Sequence, residues 1–268
     1  MPTAHKTLLA LILSVIIPNF NSGSLLEISV RRLFQFPSAN SFEVLVMDNC
    51  SIDGSTDFII GNQFPEVRLI SQNDGGVYYA MNEGIRRSKG DWLYFLGAGD
   101  CFFPELLDES VFQTNADFIY ADVDQSPSSL KGKVSLSEIL FENICHQGIF
   151  YRRSAITNLG GYDPRYRYLA DHILNIRLFF DPKIKKIHLP LTIASYLGGG
   201  ISSTKKDEFF RKNKKKHILR ELLRNPGFSR GLTVANYFWK VGSIHLTTAL
   251  SRYSRSSHLE RREPVPKK

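Results

Sequence analysis

Four aspartates stand where a carboxylate can do chemistry. Asp48 and Asp53 flank the turn Asp48-Asn-Cys-Ser-Ile-Asp-Gly-Ser-Thr56. Two acids at that spacing can take the donor edge of a nucleobase and the hydroxyls of a ribose, and they also suit an Asx turn followed by a helix cap. Asp100 is the single acid after the apolar run 92–96. Magnesium is commonly held by one or two carboxylates, with phosphate oxygens and water completing its shell, so Asp100 is a candidate metal ligand as well as a candidate helix cap. Asp171 lies near the start of a helical pattern, where it can face a cleft as a general base or complement the helix dipole.

Other chemistries find little support. Cys145 and His146 are adjacent on an expected strand, where neighbours point to opposite faces, so they do not form a nucleophile–base pair. The 7 histidines include no His-Glu-x-x-His spacing, which disfavours a zinc hydrolase. No Gly-x-Gly-x-x-Gly follows the first strand and no Gly-x4-Gly-Lys-Ser/Thr occurs, which disfavours a dinucleotide oxidoreductase and a P-loop NTPase. The 3 cysteines form no Cys-x-x-Cys pair and fit a reducing compartment better than a disulfide framework.

The elements that must position these acids read as alternating strands and helices. Residues 11–17 form a first strand closed by Pro18, and Ser24 is placed to cap a helix with Leu25, Ile28, Leu33 and Phe34 on one side. Residues 42–47 form a second strand ending at Asp48, with Ser55 or Thr56 capping the helix beyond, and residues 67–71 a third. Gly75-Gly76 then opens a helix over 78–88, which Gly90 is suited to end in a left-handed conformation. The unbroken apolar run 92–96 is a fourth strand, of the kind covered on both faces of a parallel sheet. Strands alternating with helices imply a parallel α/β sheet, whose ligands bind beyond the carboxyl ends of the strands. Asp100 lies there. Further on come a helix over 106–113, strands at 118–121 and 146–151, and a polar loop at 124–133. A helix with a Leu169, Ile173, Ile176, Phe180 stripe follows, with Asp171 off the stripe, then two short strands around Pro190 and a Gly-rich loop.

Charge divides the chain. Of its 34 Lys+Arg and 26 Asp+Glu, the part up to Ser203 carries 17 and 21, and the part from Thr204 carries 17 and 5. The first part is therefore net −4 and the second net +12. Basic helices over 209–223 and 232–250, with Phe209, Phe210, Ile218 and Leu222 interleaved and Phe238, Trp239, Val241, Ile244 and Leu246 beyond, suit an anionic membrane surface or a solvated face. No nucleic-acid recognition motif accompanies them. Near the N-terminus, Lys6 and the apolar residues 8–17 have the outline of a signal peptide, but the run ends in Pro18-Asn19-Phe20-Asn21 without a small-residue cleavage site. At half the roughly 20 residues a membrane span needs, it reads as a buried strand.

In chain order, these stretches resemble the family 2 inverting glycosyltransferases of GT-A fold, the type that builds bacterial surface polysaccharides. Ser14-Val-Ile-Ile-Pro-Asn-Phe-Asn21 resembles the opening strand and turn, and the 48–56 turn resembles the Asp-x-x-Ser-x-Asp-Gly-Thr signature. Gly75-Gly-Val-Tyr-Tyr-Ala-Met-Asn-Glu-Gly-Ile85 and Gly90-Asp-Trp-Leu-Tyr-Phe-Leu96 resemble the approach to the Asp-x-Asp motif. His146-Gln147, Ala170-Asp171 and Gly199-Gly-Ile-Ser-Ser203 resemble acceptor-side elements. Two departures stand out. The acidic motif is reduced to Gly97-Ala98-Gly99-Asp100, and Tyr79 stands where relatives often carry Asp.

The resemblance implies a GT-A, Rossmann-like domain over residues 8–203 and a basic helical extension over 204–268. It implies that Pro18, Asn21, Asp48, Asp53, Asp74 and Asn82 bind the nucleotide-sugar, that His146 and Gln147 shape the acceptor side, that Asp100 holds Mg2+ or Mn2+, and that Asp171 deprotonates the acceptor. The expected reaction is inverting transfer from a nucleotide-diphosphate sugar, UDP-sugar favoured, to a glycan or polyprenyl-diphosphate-linked glycan. Its expected place is the cytoplasm or the cytoplasmic face of the inner membrane, with no nucleic-acid partner. The rivals are an inactive nucleotide- or glycan-binding homologue, favoured by the thinned acidic motif, and a scaffold docked to the membrane through its tail.

Overall fold

The structure, a computed structural model, describes residues 12–35, 42–125, 132–197 and 207–224. Its strands are β1 (Leu13–Asn19), β2 (Phe42–Asp48), β3 (Val67–Ser71), β4 (Trp92–Phe95), β5 (Cys101–Phe102), β6 (Phe118–Gln125), β7 (Ile149–Arg152) and β8 (Lys186–Tyr196). They make one 8-stranded sheet in the order β3-β2-β1-β4-β7-β6-β8-β5. β1 to β4 pair in parallel, whereas β7 runs antiparallel to both β4 and β6. The described helices are α1 (Leu25–Leu33), α2 (Asp57–Ile60), α3 (Val77–Arg87), α4 (Arg153–Asn158), α5 (Ala170–Phe180) and α6 (Glu208–Arg224).

The two central strands explain the apolar runs. Val15, Ile16 and Ile17 of β1 and every residue of β4 are buried, because helices and loops cover both faces. α3 lies against β1, and a Cβ on its Gly84 would come within 2.5 Å of Ile16 Cγ2. Helix and strand approach closely there because the helix has no side chain at that point.

Several expectations change on contact with tertiary structure. Gly90 does not end α3 in a left-handed conformation: the cap is Ser88 in extended backbone. Gly90 is instead pressed against β1, where a Cβ would stand 2.7 Å from Ser14 N and 2.8 Å from the Leu13 carbonyl carbon. The helix expected over 106–113 is a pair of 3-10 turns, Pro104–Leu106 and Glu109–Gln113. His146–Gly148 is a 3-10 turn too, so β7 begins only at Ile149. The two strands expected around Pro190 are one, with Leu189 opposite Ala121 and Thr192 opposite Asp122. A bulge absorbs Pro190 and Leu191, as proline in a strand requires. α5 has no one-sided stripe, since Arg177 alone of its residues is not buried.

Residues Met1–Glu221 form one compact unit and Leu222–Lys268 a second. The first includes the described residues 207–221. Phe210 and Ile218 are buried within it, and the Phe209 ring packs on Tyr166 at 4.9 Å. Three of the apolar residues expected to meet a membrane are spent on the protein itself. Among the described residues no helix is long and apolar enough to cross a membrane. The expected first-strand start at 11, the Gly199–Ser203 loop, the 232–250 helix and the basic tail lie outside the described residues, as does the Leu222 side chain.

Candidate active site

A cleft of about 540 Å³ opens where four parallel strands end. Pro18 and Asn19 end β1 and Phe20 and Ser22 follow it, Asn49 follows β2, Asp74 to Ala80 follow β3 and Ala98 follows β4, while Pro164, Arg167 and Tyr168 close the far side. This is where a doubly wound sheet leaves room for a ligand.

Asp48 is the hub beneath it. Its Oδ1 accepts from Asn19 Nδ2 at 2.8 Å and Ser51 Oγ at 2.6 Å, and its Oδ2 from Ser71 Oγ at 2.7 Å and Ser51 N at 3.1 Å. Burial raises its pKa, but the hydrogen bonds from Ser51, Ser71 and Asn19 outweigh that and hold the carboxyl below its ordinary value. Four donors fill its lone pairs, so it ties β1, β2 and β3 together at the cleft floor.

Asp53 and Asn21 brace the rim in the same manner. Gly23 N donates to Asp53 Oδ2 at 2.7 Å and Ser55 N to Oδ1 at 3.1 Å. Asn21, in the left-handed region at φ 46°, accepts from Ile52 N at 3.0 Å and gives its own amide to Ser51 Oγ at 2.9 Å. Asp74 lines the cleft directly and accepts from Gly76 N at 2.7 Å, while burial and then the charge of Asp48 lift its pKa. Asn82 is elsewhere. Its Nδ2 donates to Tyr162 O at 2.8 Å and its Oδ1 accepts from Tyr162 N at 2.9 Å, so the amide clamps α3 to the 160–168 segment and does not line the cleft.

Asp100 neither caps a helix nor stands open to solvent. It is 5% exposed, with Leu197 N donating to Oδ1 at 3.0 Å and Gln147 Nε2 to Oδ2. Burial lifts its pKa, with those hydrogen bonds and the nearby His146 pulling the other way. Among the described residues no three His, Cys, Asp or Glu gather into a metal cluster. An ion here would be one carried in by a diphosphate: Asp100 is a single carboxylate that already accepts from Leu197, Gln147 and the Gly97 backbone, so phosphate and water would supply most of the ligands.

Asp171 sits behind the far wall. Tyr78, whose side lines the cleft, donates from Oη to Asp171 Oδ1 at 2.8 Å and reaches Tyr168 O at 3.0 Å. Burial and then the Asp171 charge push the Tyr78 pKa well above the ordinary tyrosine value, so the phenol keeps its proton and donates. Asp171 Oδ2 accepts from Asn143 Nδ2 at 2.6 Å, and His146 Nδ1 stands 3.9 Å away. The turn His146–Gly148 thus sends two adjacent side chains to two different acids, His146 toward Asp171 and Gln147 to Asp100. Sequence reading missed Asn19, Tyr78, Asn143, Arg167 and Tyr168. Asn19 and Tyr78 lie inside stretches that carry the resemblance, yet like Asn143 and Tyr168 they acquire their place through contacts far along the chain.

The family model described as "Glycosyl transferase family 2" matches residues 14–162. A Mycobacterium bovis protein named PGL/p-HBAD biosynthesis glycosyltransferase is 35% identical over 211 residues, covering 74% of this chain and 82% of its own. S. aureus TarS 1-349, solved with UDP-GlcNAc, superposes with a TM-score of 0.66 at 16% identity, over 80% of this chain and 67% of that one. The mannosyltransferase PcManGT of Pyrobaculum calidifontis, solved with GDP-Man and Mn2+, gives 0.56 at 14% identity, over 94% and 81%. These structures share the α/β GT-A fold expected from the sequence.

Proposed function

The chain belongs to glycosyl transferase family 2, and from that premise we propose that it transfers a sugar from a nucleoside-diphosphate donor, UDP-sugar favoured, to a hydroxyl of a glycan or lipid-linked glycan with inversion. The observation that carries this reading is the pairing of the strand-end cleft with Asp171 through one shared side chain, Tyr78. The cleft is of a size for a nucleotide, and the carboxylate behind it is held at both oxygens.

In this reading Asp171 takes the proton of the acceptor hydroxyl, and the freed oxygen attacks the anomeric carbon from the face opposite the leaving group. The bond to the diphosphate breaks and its electron pair leaves with the nucleotide. Asp100 would hold a Mg2+ or Mn2+ ion, which would supply charge neutralisation for that leaving group. Asp74 holds the ribose side, while Asp48, Asp53 and Asn21 keep the cleft in shape. His146 and Gln147 border the acceptor side. The donors bound by the structural neighbours support a nucleotide-sugar, and a water-soluble nucleotide donor supports action in the cytoplasm or at its membrane face. The exposed Lys212, Lys216 and Arg220 of α6 are placed to meet anionic lipid there.

The test is nucleotide release from a panel of UDP-, GDP- and dTDP-sugars with Mg2+ or Mn2+, with lipid-linked acceptors added, for wild type and Asp171→Asn. Release of one nucleotide with wild type and its loss in the variant would support the reading. Donor binding without turnover under every condition would favour an inactive homologue, the reading that the lone Asp100 leaves open. No nucleotide binding at all would sink the donor reading.

A further inference from the structure

The cleft lining contains one cation that no acid among the described residues pairs. Arg167 is the single Lys or Arg among the lining residues. Its guanidinium stands over the neighbouring Tyr168 ring at 5.9 Å, and none of the ion pairs among the described residues uses it. Arg165, two positions earlier, is locked to Asp163 at 2.6 Å. One of these arginines is thus neutralised by the fold, while the other is left facing the cavity.

The backbone beside Arg167 is braced from two directions. Tyr168 N donates to the buried Asp207 at 2.9 Å, and Tyr168 O accepts from Tyr78 Oη at 3.0 Å. Across the cleft, the lining carboxylate Asp74 is engaged by the amide of Gly76. The segment 97–100 brings a single acid, so little protein carboxylate is available to gather cations around a polyphosphate.

We propose that Arg167 binds the diphosphate of the nucleotide donor. This rests on the donor reading above. A guanidinium offers two parallel N–H donors that match two phosphate oxygens and stays charged throughout. As the sugar–oxygen bond breaks, its electron pair passes to the diphosphate oxygen, and the added negative charge accumulates beside Arg167, which gives up no proton. Part of the leaving-group stabilisation is then built into the chain, and nucleotide affinity does not depend wholly on a divalent ion.

The experiment uses the full chain. UDP, GDP and dTDP are titrated by calorimetry with Mg2+ and again with EDTA, and the matching nucleosides are titrated by ligand-observed NMR, against wild type, Arg167→Gln and Arg167→Lys. The expected result for the nucleotide that binds is a loss of roughly ten- to hundred-fold in Arg167→Gln, with nucleoside affinity within about twofold of wild type. Arg167→Lys should fall between, since it keeps the charge and loses the fork. In EDTA, residual diphosphate binding should survive in wild type and vanish in Arg167→Gln. Unchanged diphosphate affinity in Arg167→Gln would overturn the assignment, and so would equal losses for nucleoside and diphosphate, which would mean a change in cleft shape. If wild type binds no nucleotide, the donor reading itself fails and the assignment falls with it.

Discussion

Asn143 Nδ2 donates to Asp171 Oδ2 at 2.6 Å, and that bond sets the sense of the chain behind it. A carboxylate only accepts, so the amide nitrogen must face Asp171 and the amide oxygen must face Asn175, whose Nδ2 donates to it at 3.0 Å. Asn175 Oδ1 is left to accept from Tyr151 Oη at 2.8 Å. Tyr151 and Asn175 are fully buried, so the chain has no water to reverse it. Three side chains therefore donate in series toward the acid, each polarising the next.

Removing the first member tests this arrangement. Asn143→Leu leaves Asp171 with one donor, and turnover should fall by roughly ten- to hundred-fold, the worth of a hydrogen bond to a charged group. Donor KM should stay within about twofold, because the cleft lining is intact. Steady-state nucleotide release resolves the two constants. A matching rise in KM would mean that Asn143 shapes the cleft instead.

Asp48 should govern acid stability. Its folded pKa lies below its ordinary value of 3.8, so the unfolded chain binds the proton first. The stability it contributes is in place above the ordinary value and drains away as pH falls from there through the folded pKa. Asp48→Ala also strands donors of Asn19, Ser51 and Ser71, at about 2–4 kcal/mol. In urea melts across the acid range, the gap between wild type and Asp48→Ala should be widest near neutrality and narrow below pH 3.8. A gap independent of pH would contradict this account.

Gly90→Ala should destabilise by about 1–3 kcal/mol, the usual cost of forcing an atom into a packed site. The obstacles at Ser14 N and Leu13 C are backbone and cannot swing aside. Gly160→Ala is the control, since nothing lies within 4 Å of its added Cβ and only the strain of φ 82° remains. Thermal melts of the two variants separate close approach from conformational strain.

Asp207→Ala should act at two places. Asp207 Oδ1 accepts from Phe210 N at 2.8 Å, capping α6, while Oδ2 holds Tyr168 N. Loss of the cap costs about 1–2 kcal/mol, and the freed 164–168 segment should weaken nucleotide binding severalfold. Glu208→Ala, at an exposed pair with Arg211, should change stability by less than about 0.5 kcal/mol and leave binding alone. Melts and calorimetry on the same samples link the two effects.

What the sequence disclosed follows from how far each residue's determinants lie. β1, β2 and β4 were legible because a strand buried on both faces advertises itself as an apolar run. Asp48 and Asp53 were legible as turn acids. Asn82 was assigned to the nucleotide through the resemblance of its segment, but helical geometry turns it toward Tyr162, 80 residues on. Tyr78 was hidden because its partner Asp171 is 93 residues away. Asp171 was expected on a free helix face, and the burial of α5 on nearly every side could only be known once β7 and the 139–144 segment had closed over it. Gly90 shows the limit most plainly: a glycine announces that something is special, not whether it is the dihedral angle or the neighbour.

The amide of Tyr168 takes its partner 39 residues downstream, so this wall of the cleft is tied to a residue made after the last strand of the sheet. A nascent chain that has released β1 to β8 has every strand of the sheet, yet the backbone at the cleft's far wall still lacks the carboxylate that claims it. Until Asp207 has been made, that half-buried amide can be met only by water.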